Sequence, residues 1–134
     1  PAVLRQKTDG DSGGVALGRI AHLIADLYFV GAANPLADCA SLQNIFRSVL
    51  PATGDYRPRL HIFEGSQGGW YGFGILEGGR ISFQTVPPLE FMALEIVAFN
   101  RSFDPRTLNE QLVTLLAPSL VTVDVFSRGH HLTG

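Results

Sequence analysis

From Arg19 onward the chain switches repeatedly between two hydrophobic spacings. Ile20 to Val30 is dense in branched and aromatic residues, which predicts a strand ended by Gly31 and Asn34-Pro35. Between Asp38 and Leu50, Cys39, Leu42, Phe46 and Val49 recur every three or four positions. That spacing is the buried stripe of a helix, stopped by Pro51 and Gly54. Arg59 to Phe63 is a short strand, and Gly65-Ser66-Gln67-Gly68-Gly69 is a loop. Trp70 to Leu76 and Arg80 to Val86 read as two strands around Glu77-Gly78-Gly79, because adjacent glycines accept the positive φ of a tight hairpin. Pro87-Pro88 breaks the second of these, and Phe91 to Phe99 is a further strand. Asp104-Pro105 starts a second helix, with a capping carboxylate and then a proline whose missing N–H costs nothing there. Leu108, Leu112, Leu115 and Leu116 form its apolar face. Pro118 ends it, and Leu120 to Phe126 is a last, valine-rich strand.

The order β-α-β-β-β-β-α-β, with one apolar stripe per helix, predicts an α+β fold. The economical packing is a two-layer sandwich: one mostly antiparallel sheet with both helices on one face. Phe91, Ala93 and Val97 alternate with Met92, Leu94 and Ile96, so both faces of that strand carry apolar residues. The second sheet face is therefore expected to be covered too, by a second copy of the chain. Thr8 to Gly14 is a run of breakers, and residues 1–17 read as a flexible N-terminal tail. Residues 18–129 form the folded domain, and residues 130–134 a C-terminal tail without pattern.

Composition narrows the class. The chain has 134 residues, 46% hydrophobic and 16% charged, which suits one domain and is too apolar for disorder. The low charge is consistent with surface hidden against a partner. A net charge of −2 offers no electrostatic footprint for nucleic acid. The apolar run Phe91–Phe99 is too short to cross a bilayer and is interrupted by Glu95, and Pro1 to Leu17 holds no signal-peptide core. A cytoplasmic protein is the expectation. The single cysteine, Cys39, excludes an internal disulfide and a multi-cysteine zinc site.

Candidate chemistry is sparse. His22 and His61 lie within strands, His130-His131 lies in the unpatterned end, and no HxH or HxxxH spacing occurs. Structural or surface roles are expected for all four, and no metal site. The glycine-rich stretch Gly65–Gly79 lacks GxGxxG and a P-loop lysine and reads as hairpin punctuation. There is no GxSxG, and Cys39 reads as a small buried thiol. Glu95 stands out because it interrupts an apolar strand. A carboxylate there must be solvated, paired or facing a ligand. A rim position or a salt bridge to an arginine weighs evenly against a functional role.

Taken in order, several segments resemble the prokaryotic S-adenosylmethionine decarboxylases, small pyruvoyl enzymes of spermidine synthesis. Gly18 to Tyr28 is similar to that family's G-x-H-x-x-x-D-x-Y strand, with His22, Asp26 and Tyr28 matching. Leu60-His61-Ile62-Phe63 resembles its F-H-x-F strand, and Gln67-Gly68 the Q-G that follows. Ile81-Ser82-Phe83-Gln84-Thr85-Val86-Pro87 resembles I-S-I-H-T-W-P, and Leu94-Glu95-Ile96-Val97 resembles V-D-I-F. Asp104-Pro105 matches the start of a family helix, and Val121 to Gly129 the closing strand with its R-G. The resemblance spans residues 18–129 and implies the two-layer α+β sandwich and a dimer. In the family a serine hydroxyl attacks the preceding carbonyl, the resulting ester eliminates, and the chain breaks to leave a pyruvoyl group. That ketone then serves as an electron sink for decarboxylation.

The resemblance breaks where that chemistry sits. The cleavage serine aligns with Gly79, and a shift by one lands on Gly78; the supporting serine aligns with Tyr71, the processing histidine with Gln84, and the proton-donating cysteine with Phe99. Glycine has no hydroxyl to form the ester, and phenylalanine has no proton to give. The expectation is thus a non-catalytic pseudoenzyme linked to polyamine metabolism, without a pyruvoyl cofactor, acting as a ligand-binding or regulatory protein. It would form a homodimer or pair with a decarboxylase paralogue. The candidate ligand is a small amine or nucleoside. Phe63, Trp70 and Phe99 would stack on a base, Glu95 would hold an amine or ribose, and His61, Gly79, Ser82 and Gln84 would line the same place. The alternatives are an enzyme with non-pyruvoyl chemistry on Glu95 and His61, or a structural partner subunit of an active decarboxylase. Phe63, Trp70 and Phe99 read equally well as plain core residues.

Overall fold

The computed structural model describes residues 3–8, 20–31, 36, 38–50 and 56–131. In chain order the elements are β1 (Val3–Thr8), β2 (Ile20–Tyr28), α1 (Cys39–Val49), β3 (Arg59–Glu64), β4 (Trp70–Leu76), β5 (Gly79–Val86), β6 (Phe91–Ala98), α2 (Pro105–Leu116) and β7 (Leu120–Arg128). Single 3₁₀ turns at Ser66–Gly68 and Pro87–Leu89 flank β4 and β5. The fold is the α+β arrangement expected from the sequence.

All seven strands join one sheet in the order β1-β7-β2-β6-β5-β4-β3. Every pairing is antiparallel except β1 with β7, which is parallel and sets Val3 against Leu120. β1 corrects the expectation of an unstructured segment before residue 18. A short edge strand needs only backbone partners, and six residues without strong alternation give little signal of it. Residues 1–2 and 9–17 of that expected tail, and residues 132–134 of the C-terminal one, lie outside the described residues.

Both helices cover the same face. Leu42 and Phe46 of α1 and Leu108, Leu112 and Leu116 of α2 share a core with Leu23, Ala25, Leu27, Ile81, Phe83, Met92, Leu94, Ile96, Val121, Val123 and Val125. The Phe46 and Phe83 rings stack with centroids 4.3 Å apart. Gly72 makes room beneath them, since a Cβ there would run into the Phe83 ring. Some of the glycine-rich stretch is thus a packing slot within β4 rather than turn punctuation.

The helix starts follow the capping logic. The Asp38 carboxylate accepts from the Ala40 N–H at 3.1 Å and from the Ser41 hydroxyl at 2.7 Å. Asp104 accepts from the Arg106 N–H at 2.9 Å, with Pro105 at the first helical position. Two expectations shift. Cys39 is half-buried at the start of α1, above the Leu42 and Phe46 stripe. Leu115 is 49% exposed, while Asn109 is buried. At 100° per residue the buried arc of α2 centres on Leu112, and Leu115 falls at its edge.

Candidate functional site

The sheet face away from the helices gathers most of the polar and aromatic candidates. Strand alternation puts His22, Ile24, Asp26 and Tyr28 of β2 there, with Phe91, Ala93, Glu95 and Val97 of β6 and Arg80, Ser82, Gln84 and Val86 of β5. Tyr71, Phe73 and Ile75 of β4 and Arg59, His61 and Phe63 of β3 continue it to one edge, and Thr122, Asp124 and Phe126 of β7 extend it on the other side. The antiparallel register aligns two rows across the strands. One runs His61, Phe73, Ser82, Glu95, Ile24, Asp124; the other runs Phe63, Tyr71, Gln84, Ala93, Asp26, Thr122.

Six of the residues expected at a site therefore share this face: His61, Phe63, Tyr71, Ser82, Gln84 and Glu95. Phe99 follows β6 directly and is exposed, and Gly79 opens β5 at the hairpin. Trp70 does not join them. It has the same parity as Gly72 and Gly74 in β4 and packs against the core on the helix side, which removes it as a stacking platform for this face. The aromatics toward the β3 edge form a small ladder. The His61 ring lies 5.3 Å from Phe73 and 6.5 Å from Phe63, and Phe63 and Phe73 are 6.0 Å apart. Phe63 (53%), Tyr71 (45%) and Ile75 (41%) stay exposed, an apolar patch rimmed by charge.

Glu95 is paired rather than isolated. Its Oε1 lies 3.2 Å from His22 Nε2, and Arg128 Nη1 lies 3.5 Å from His22 Nδ1. An arginine N–H facing Nδ1 suits the tautomer in which Nε2–H donates to the carboxylate. His22, for which a structural or surface role was expected, is part of the polar centre of this face. Its signal in the sequence was the alternation that gives it the same parity as Asp26, but the partner lies on β6 and needs the register. Glu95 is itself half exposed, so the pair contributes modestly to stability, on the order of 1 kcal/mol or less. Two further carboxylates, Asp26 and Asp124, sit close by on β2 and β7. Desolvation first, and then the Asp124 charge, push the Asp26 carboxyl above its ordinary value.

At the hairpin end, the Phe99 N–H donates to the Gly78 carbonyl at 2.7 Å. The Arg80 guanidinium lies over the Phe99 ring, 5.6 Å from its centroid. Among the described residues no group of three metal-ligating side chains assembles, and no helix is long and apolar enough to cross a membrane.

These features define an α+β sandwich with a polar, aromatic-rimmed open sheet face. The family model for S-adenosylmethionine decarboxylase matches residues 21–129, most of the chain, and the protein belongs to that family. Among solved structures, the adenosylmethionine decarboxylase from Aquifex aeolicus is similar in fold, with a TM-score of 0.65 and 18% identity, covering 89% of this chain and 99% of that one. No curated protein matches the chain.

Proposed function

We propose that this protein is a non-catalytic member of its family, with a ligand-binding or regulatory role linked to spermidine metabolism. The observation that carries the reading is the pair Gly78-Gly79 at the β4–β5 turn, where the resemblance aligns the serine that becomes the pyruvoyl group. Neither residue has an oxygen nucleophile, so the residues present do not fit that prosthetic group. Tyr71, Gln84 and Phe99 replace the other processing and proton-donating positions; Phe99 lies beside the hairpin, whereas Tyr71 and Gln84 pair with each other toward the other end of β4 and β5. What remains suits binding. Glu95 and His22 offer a charged pair, Ser82 and Gln84 offer hydrogen bonds, and Phe63, Tyr71 and Phe99 offer ring faces. The ligand class we assign is a small amine or nucleoside.

The same face is where we place a second chain, either another copy or a decarboxylase paralogue. Its exposed Phe63, Tyr71 and Ile75 favour apolar cover.

Intact mass under denaturing conditions tests the reading. One uncut chain is expected, with no carbonyl that reacts with a hydrazine. Two fragments, or release of carbon dioxide from S-adenosylmethionine by the purified protein, would overturn it.

One observation favours a second reading, an enzyme with chemistry that needs no pyruvoyl group. The 3.2 Å contact between His22 and Glu95 is a ready acid–base pair facing the open side of the sheet. Turnover of a nucleoside or amine substrate by an uncut chain, abolished in His22→Ala, would select it.

A further inference from the structure

The β4–β5 hairpin is built closely around its two glycines. Gly78 has φ +81, a backbone that side chains rarely adopt. A Cβ built on Gly78 would meet the Asn100 side chain, 2.8 Å from its Cγ and Nδ2 and closer still to its Oδ1. The Asn100 Oδ1 accepts from the Ser102 N–H at 2.8 Å, so moving this exposed side chain aside gives up that bond. A Cβ built on Gly79 would run into the Val97 carbonyl oxygen and lie 2.7 Å from two carbons of the Phe103 ring. Phe103 is itself anchored, as a half-buried ring packed on the core between β6 and α2. Three independent groups thus hold the space that a side chain at either position needs: a strand carbonyl, a phenylalanine ring and an asparagine amide.

We propose that the Val97 carbonyl and the segment from Asn100 to Phe103 together form a steric plug that makes this hairpin accessible only to glycine. A serine at position 79 would then have no place in the turn as it is built. The inference rests on reading this hairpin as the counterpart of the family's cleavage turn. Its physical content, a clash at 78 and 79, stands or falls separately from whether the chain has a function as a regulator. Phe103 and Asn100 act here as positioning residues, through the backbone they confine.

The test is a thermodynamic cycle read by thermal unfolding. Gly79→Ala and Gly79→Ser are each expected to lower the midpoint by roughly 5–10 °C, the scale of an overpacked site in a domain of this size. Phe103→Ala lowers it on its own by loss of core contact. The double variant Gly79→Ala with Phe103→Ala should lose clearly less than the sum of the two, with the Val97 carbonyl leaving part of the penalty. If Gly79→Ala is insoluble, recovery of soluble protein on adding Phe103→Ala supports the plug, and no recovery overturns it. Additive losses, or a Gly79→Ser protein that melts with the wild type, also overturn it. A cut wild-type chain would instead sink the proposed function and leave this cycle to be judged on its own midpoints.

Discussion

Asp26 is the residue whose surroundings make the sharpest stability statement. Its carboxyl is raised above 3.8 by partial burial and by Asp124, so the folded state holds that proton more tightly than the unfolded chain does. The sign follows from proton linkage. Below pH 3.8 the side chain is protonated in both states and is neutral to folding; as pH rises through the raised value, stability is lost and stays lost. Asp26→Asn should therefore be more stable than the wild type toward urea at pH 7, and the gap should close near pH 3. An unchanged or lower urea midpoint at pH 7 would contradict the assignment. Asp38 runs the other way. The Ser41 hydroxyl, the Ser41 and Ala40 N–H groups and the carboxylate favour one another, which lowers its value. That contribution is present above pH 3.8 and fades as pH falls through the lowered value. His22 and Glu95 belong to the same scale but not to the same kind of legibility. Glu95 announced itself as a charge in an apolar strand, whereas His22 took on meaning only through a partner more than seventy positions away.

At the level of elements, caps and periodicity carry most of the information. Asp104 precedes Pro105 and accepts the Arg106 N–H, so Asp104→Ala should cost about 1 kcal/mol, measurable by urea unfolding. A loss below a few tenths would mean that Pro105 alone starts α2. The strands β2 to β7 and both helices were readable because each combines a run of apolar residues with a clear stop: Asn34-Pro35, Pro51, the Gly78 turn, Pro87-Pro88, Pro118. What resisted reading depended on contacts between elements. β1 is a strand because β7 offers it an edge. Trp70 turns inward because Gly72 and Gly74 fix the parity of β4 toward the helices. Leu115 lies outside the buried arc although it keeps helical spacing with Leu108 and Leu112. The polar face itself had no local signature, since its members come from six strands and meet through register.

For the whole molecule, the open face should respond to its ligand class as one unit. If S-adenosylmethionine or its decarboxylated or thioether analogues bind there, a concentration of one hundred times Kd adds about 2.7 kcal/mol, a shift of several degrees in the unfolding midpoint. Loss of that shift in Glu95→Gln would tie the ligand to the His22 centre. No shift with any analogue would leave pairing with an active decarboxylase as the better role. Size-exclusion or sedimentation of the same sample reads whether the face is covered by a second copy.

The place of β2 in the sheet has a kinetic consequence. The meander from β3 to β6 closes through short turns, but β2 lies between β6 and β7 and reaches each of them only across a long stretch of chain. Its Tyr28 end meets Leu120, and its Ile20 end meets Arg128, so the sheet's middle is stitched from opposite ends of the chain. Loop-closure entropy of that size has to be met before the long-range contacts repay it, so substitutions in β2 are expected to change the unfolding rate more than the folding rate.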